Sequence, residues 1–326
     1  MRCMWMTGIW LLCAMAVQAQ YGAEVPRVVT SASMGIKGNV EEVSESYTDM
    51  TVEDGIGVVT ERKIYRFDKQ GRLQAATTIA TDGKKQKKDK AVSERYHYDR
   101  DGNLASVATW EDDKRTDSVA MFYNSRDRIY RKWTYDAKDR VYKRVQYTWN
   151  KSGRLMTVRH KDGDNDMERM IKLSYSDDGA TVEQAHLDAT LKLLHRIVTV
   201  TSPDSGGGQR VMRFEYYKPD TCTGMISRTT DAQGHVTEET TMDGQKNVTR
   251  YSTTVYDAHG GPDSTILYTT EKWRIHYLNT YDGHGNWIVQ AVYRNNTPYY
   301  TLGRLIIYRA GAEDKKSHII VNNPED

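Results

Sequence analysis

Cysteine, proline and phenylalanine are scarce in this 326-residue chain, which holds three Cys, six Pro and three Phe. A signature of processing at the N-terminus makes the cysteine count lower still. Arg2 provides a positive start, Trp5 to Val17 an apolar run, and Val17-Gln18-Ala19 the small-residue pattern of a cut before Gln20. Only Cys222 then remains, so the exported chain has no internal disulfide framework and must be held by packing and sheet pairing. Six Pro beside 24 Gly exclude collagen and a Pro-rich linker protein. A net charge of +2 leaves no basic excess for a nucleic-acid partner. No stretch after the leader reaches the roughly 20 apolar residues of a membrane-spanning helix, so no transmembrane segment is expected after cleavage. Also missing are the Gly-x-Ser-x-Gly elbow, His-Glu-x-x-His, the phosphate loop and the dinucleotide fingerprint. The hydrophobic share of 38% is low for a thick-cored enzyme.

What is abundant is tyrosine, with 22 residues beside seven Trp. Tyr keeps one wet end, which suits sheets with a face near water. The tyrosines recur in a short unit: aromatic, any, aromatic, Asp or Asn, two polar residues, Gly or Asp, a polar residue and an apolar one. Copies are Tyr65 to Leu73, Tyr96 to Leu104, Trp133 to Val141, Tyr147 to Leu155 and, at the end, Tyr281 to Trp287. Weaker copies begin at Tyr123-Asn124, Tyr175-Ser176, Thr230-Asp231 and Tyr256-Asp257. Asp or Asn opens a turn by accepting bonds from amides just ahead. Gly three positions on tolerates positive φ. The flanks alternate with period two, as in Ile275, Tyr277 and Tyr281 before a turn and Trp287, Val289 and Ala291 after it. These features predict an all-β chain: an antiparallel meander of YD-like hairpin repeats forming a curved, twisted open sheet or partial shell. Leu187, Leu191, Leu194 and Val198 have helical spacing, but the repeat pattern and the β-branched run Ile197 to Thr201 predict strand there. Ser202 to Gly208 reads as a long hairpin loop. The expected divisions are a signal peptide over 1–19, a leader segment over 20–35, the repeat domain over 36–308 and a tail over 309–326.

The Tyr-Asp-x-x-Gly-[Asn/Arg]-Leu units resemble the YD repeats of the RHS family, and the arrangement resembles the short exported RHS/YD-like repeat proteins of Bacteroidetes. Gly38-Asn39-Val40-Glu41-Glu42-Val43 matches their opening strand, and Tyr281 to Trp287 followed by Arg304 to Tyr308 matches their close. The resemblance implies β architecture and export. It implies no toxin delivery, because fewer than two dozen residues follow Tyr308, and no self-cleavage, because no Pro follows Asp.

Candidate sites are few. Trp110, Trp133, Trp149, Trp273 and Trp287 could form flat platforms for sugar rings, or could pack across strands as the repeat core. Asp162, Asp164 and Asp166 alternate like calcium ligands, but Met167 and Leu173 stand where a calcium loop needs Gly and Glu, so an acidic hairpin tip is the plainer reading. Lys84 to Lys90 reads as a solvated basic loop. His259 and His284 share one slot in two turn copies, which marks turn decoration. Cys222 reads as a plain thiol, and Cys13 lacks the small preceding residue of a lipidation site. The expectation is an exported, non-enzymatic repeat protein, periplasmic, outer-membrane associated or secreted. It needs no cofactor and presents a surface to an unknown protein or glycan of the cell envelope. The alternatives are a carbohydrate-active hydrolase with acidic residues in repeat turns, which needs two carboxyls in an aromatic-lined cleft, and a structural component associating by sheet edges.

Overall fold

The computed structural model describes residues 25–51, 57–81, 90–217 and 221–310. Among the described residues, beyond one short 3-10 turn, Ala32–Met34, all regular structure is β. The first ten strands are β1 (Val40–Asp49), β2 (Val58–Phe67), β3 (Leu73–Ala80), β4 (Lys90–Tyr98), β5 (Leu104–Glu111), β6 (Lys114–Tyr123), β7 (Ile129–Asp136), β8 (Val141–Trp149), β9 (Leu155–Asp162) and β10 (Met167–Tyr175). The second ten are β11 (Thr181–Asp188), β12 (Leu193–Pro203), β13 (Gln209–Tyr217), β14 (Thr221–Thr230), β15 (Val236–Asp243), β16 (Val248–Tyr256), β17 (Pro262–Tyr268), β18 (Lys272–Tyr281), β19 (Trp287–Arg294) and β20 (Thr297–Tyr308).

Each strand pairs antiparallel with its sequence neighbours, as the hairpin pattern predicts. The open sheet or partial shell does not form. β1 pairs with β2 on one side and β20 on the other, Val43 facing both Tyr65 and Ile306, so the 20 strands close into a barrel. Closure removes the two rows of unpaired N–H and C=O groups an open meander would expose. It also takes away the free edges on which edge-to-edge association depended. The segment from Leu187 to Val198 is strand, as expected: β11 and β12 meet through a turn in which Leu191 takes a φ of 68°.

The turns explain the recurring sequence. In the Asp68 turn, the Asp68 amide donates to Arg72 O at 2.9 Å and the Gly71 amide to Asp68 O at 3.0 Å. Asp68 Oδ1 accepts from the amides of Gln70 and Arg72, both at 2.9 Å. Gly71 has a φ of 74°, and the register of β2 against β3 slips between Arg66 and Phe67. This is a tight turn followed by a left-handed residue in a bulge, a hairpin closure that fits the twist of the strands. Ser202 to Gly208 is no long loop. It holds the same short turn, with the Asp204 amide donating to Gly208 O and the Gly207 amide to Asp204 O.

One parity of side chains carries the core. Val43, Val145, Val158, Ile171, Val182 and Val292 are buried on it, Val158 opposite Ile171, Val43 opposite Ile306 and Val145 opposite His160. It is the concave face, where side chains converge. The segment ahead of β1 packs on this core: Val25 and Val28 against the cluster of Leu104, Ile129, Val145 and Leu155, and Ile36 against Val40, Val43, Phe67 and Ile306. The wall is uneven. Among the described residues, no hydrophobic side chain between Ile197 and Val292 is buried. Among the described residues, charged side chains stand on both faces. Arg62, Arg95, Arg131, Arg159, Lys172 and Arg274 stand exposed on the outer parity, and Glu45, Lys63, Glu94 and Lys132 lie on the inner one.

Candidate functional site

In an antiparallel meander the turns that lead from even to odd strands all lie at one rim. Here they are the turns opened by Asp68, Asp99, Asn124, Asn150, Ser176, Asp204, Asp231, Asp257 and Asp282. At seven of the strand ends on this rim, a Tyr or Trp reaches back to the previous turn. Tyr98 donates its hydroxyl to Leu73 O at 2.6 Å, Tyr123 to Leu104 O at 3.0 Å, Tyr175 to Leu155 O at 2.7 Å and Tyr256 to Val236 O at 2.8 Å. Trp149 does the same through Nε1 to Ile129 O at 2.7 Å. Each acceptor is the first residue of the strand that leaves the previous turn. Tyr281 and Tyr308 donate instead to the carboxylates of Asp257 and Asp282.

A second side chain completes five of these staples. The Arg72 guanidinium lies 4.4 Å from the Tyr98 ring centre, and that of Arg154 5.3 Å from Tyr175. His235 stacks on Tyr256 at 4.7 Å, His259 on Tyr281 at 4.3 Å and His284 on Tyr308 at 4.2 Å. The rim is thus a chain of turn residue on aromatic on turn residue, each link joining units some 25 residues apart by number. The electrostatics agree. Asp257 is held below the ordinary carboxylate range: burial would raise it, but bonds from Tyr281, Asn279 and two amides outweigh that. Burial first, and then the Asp257 carboxylate, push the Tyr281 hydroxyl well above its usual value.

The chain of staples breaks at two consecutive places. Pro203 and Thr230 stand where the other strands end in an aromatic, and Thr181 and Gly208 close their turns where Arg72, Arg154 and His235 close theirs. Thr230 Oγ1 makes the short-range version of the staple, accepting from the Gln209 amide at 3.1 Å and facing Gln209 O at 3.3 Å. Its backbone is drawn in so far that a Cβ on Gly208 would meet Thr230 O at 1.8 Å. The missing side chains leave a cleft of about 580 Å³, walled by the turns around Gly179, Gly207 and Gly234 with Pro203 and Gln209 between them. Its two carboxyls, Asp178 and Asp231, are both held low. For Asp178 the Ser176 hydroxyl is the main cause; for Asp231, burial acts upward and is outweighed by the amide and ring of His235.

The residues singled out from sequence go elsewhere. Trp110 and Trp133 lie on the outer parity, under Arg95 and against Phe122. Trp149, Trp273 and Trp287 lie on the inner parity, in the staple already described, under Arg294 and under Arg304. No two of the five are in ring contact among the described residues, so they do not assemble one platform. Asp162 spends its carboxylate on the amides of Asp164 and Asp166, both at 2.9 Å, as a turn opener, and no metal-ligating cluster of three or more residues occurs among the described residues. His259 and His284 have matching environments, as their shared slot implied. Cys222 lies on β14 with its Sγ 3.6 Å from Gly224 O. The leader over 1–19, the tail beyond 310 and most of the Lys84 to Lys90 run lie outside the described residues. Sequence reading missed the cleft, although the signal was present: Pro203 and Thr230 interrupt an otherwise aromatic column.

No protein-family model matches the chain, and no curated protein does. Among solved structures it is similar to a porin-like protein from Bacteroides uniformis, at 11% identity over 82% of this chain and 96% of the other, with a TM-score of 0.36. A porin-like protein from Bacteroides vulgatus is similar at 10% identity over 81% and 97%, with a TM-score of 0.23. The TcdB2-TccC3-Cdc42 structure is similar at 10% identity over 89% of this chain but 21% of the other, also at 0.23. Likeness at these scores assigns neither family nor activity.

Proposed function

We propose that this chain is an exported, non-enzymatic repeat barrel of the cell envelope, of the short RHS/YD-like kind, that presents an interaction surface to a protein or glycan. The observation that carries this reading is the interrupted rim. Everywhere else on that rim the fold consumes its own hydrogen-bonding and stacking groups. At Pro203 and Thr230 it leaves a cleft walled by backbone and short polar side chains, suited to binding. Export is supported by the Arg2, Trp5 to Val17 and Ala19 pattern.

The hydrolase reading has less support. An acid catalyst needs a carboxyl raised toward neutrality, whereas Asp178 and Asp231 are both shifted the other way. No Trp or Tyr lines the cleft to seat a sugar. The test is a glycan array and a pull-down from envelope extracts with the mature protein, beside a turnover assay on chromogenic glycosides. Binding that is lost when the cleft is filled supports the reading. Silence in both binding assays together with measurable turnover would end it.

A further inference from the structure

The rim itself shows what fills the space between two turns. At five intervals the filler is a tyrosine phenol or an indole that crosses to the preceding unit and donates a hydrogen bond to a strand-opening carbonyl. At two more it is a phenol donating to the carboxylate of the neighbouring turn. The interval between the turn of Ser176 to Thr181, one residue longer than its neighbours, and the turn of Asp204 to Gly208 lacks that filler. Pro203 is too short to cross it and has no hydroxyl. Ala180 and Gly207 offer flat peptide surface where a ring would rest, and Asp178 offers a turn carboxylate at its mouth.

We infer that this interval takes the phenol ring of a tyrosine side chain presented by a partner polypeptide. The inference rests on the interaction-surface reading and names its ligand chemistry. A phenol brings the two properties the walls ask for, an apolar face and a single O–H donor. A sugar ring would lack an aromatic partner here, since Pro203 is the only ring in the lining. The partner's tyrosine would continue the stack from the Ser176 turn toward the Asp204 turn, restoring in trans a link that this chain makes in cis at its other intervals.

The test uses the mature protein, labelled for amide spectroscopy and titrated with N-acetyl-tyrosinamide, N-acetyl-phenylalaninamide, N-acetyl-leucinamide and maltose. The tyrosine compound is expected to shift the amides of Gly179, Gly207 and Gly234. The phenylalanine compound should bind about tenfold more weakly, the worth of one hydrogen bond to a carboxylate. Pro203→Tyr, which fills the interval in cis, should abolish both, and Ala180→Trp, on the opposite wall of the same interval, serves as a second filling variant if the first fails to fold. The inference is overturned if maltose or the leucine compound shifts the same glycines as strongly, if filling changes nothing, or if no probe shifts them at millimolar concentration. Loss of the probe effect while the protein still captures a partner from envelope extract would discard the tyrosine and leave the interaction surface standing. Failure of both would discard both.

Discussion

The two rims of this barrel share one turn and treat it differently, the opposite rim also holding two-residue turns at Asp112-Asp113 and Asn295-Asn296. At the stapled rim the left-handed position is Gly71, Gly102, Gly153, Gly179, Gly207, Gly234, Gly260 or Gly285, with Asp127 the exception. At the opposite rim the equivalent position is Asp139, Asn165, Leu191 or Lys246. The hydrogen bonds within the turns are alike, as the Asp136 and Asp188 turns show. Backbone conformation therefore does not by itself explain the glycines. Neighbours do: a Cβ at Gly153 would lie 2.5 Å from the Arg128 guanidinium, at Gly179 3.0 Å from Arg154 and at Gly260 3.0 Å from His235. At these three positions glycine lets the preceding turn's Arg or His lie close, whereas Gly207 and Gly234 have room for a Cβ. The opposite rim makes no such demand and bears the left-handed strain on ordinary residues.

The comparison breaks most severely at Trp149. Trp149→Ala removes a staple, its bond to Ile129 O and packing against the largest core cluster, and should destabilise the barrel by about 3 kcal/mol in chemical unfolding. An indistinguishable midpoint would mean that the staples are ornamental. Next comes a glycine pair. Gly153→Ala should cost about 2 kcal/mol, because strain adds to displacement of Arg128, and Gly234→Ala, with nothing within 4 Å of the added carbon, about 1 kcal/mol from strain alone. Equal costs would remove the neighbour argument.

Asp257→Asn sharpens the electrostatic side. The native Asp257 pKa is depressed from 3.8, so its contribution is complete above pH ~4 and is lost as pH falls through the folded value. The variant should be less stable by about 1 kcal/mol at neutral pH, with the gap closing in acid. A gap constant with pH would contradict the assignment. The smallest effect is expected at the opposite rim, where Leu191, 50% exposed with a φ of 68°, should tolerate Leu191→Gly with a gain of up to about 0.5 kcal/mol, read as a small rise in Tm.

The turns were legible in the sequence because their chemistry is local: an Asp or Asn at the opening and a left-handed residue three positions on. The Leu187 to Val198 stretch was legible as strand for the same reason, since a turn at Asp188 interrupts any helical stripe. Closure was not legible. β1 and β20 are joined by Val43 and Ile306, and no repeat period states how many strands fit around a barrel. The faces of the tryptophans were not legible: Trp110 and Trp133 fall on the outer parity, Trp149, Trp273 and Trp287 on the inner one, and the bulge at each such turn shifts parity by one residue. The cleft escaped notice because it consists of missing side chains, visible only once Tyr98 is seen to reach Leu73.

Residue-resolved amide exchange around the rim tests the central claim most directly. All the turns compared hold their own backbone bonds, so a rim stabilised by turns alone would protect Gly71, Gly153, Gly207 and Gly260 equally. If the staples carry the stability, Gly71, Gly153 and Gly260 should exchange slowly, while Gly179 and Gly207 beside the cleft exchange as fast as Leu191 and Lys246 on the opposite rim. Uniform protection around the stapled rim, or the slowest exchange at Gly207, would contradict the account.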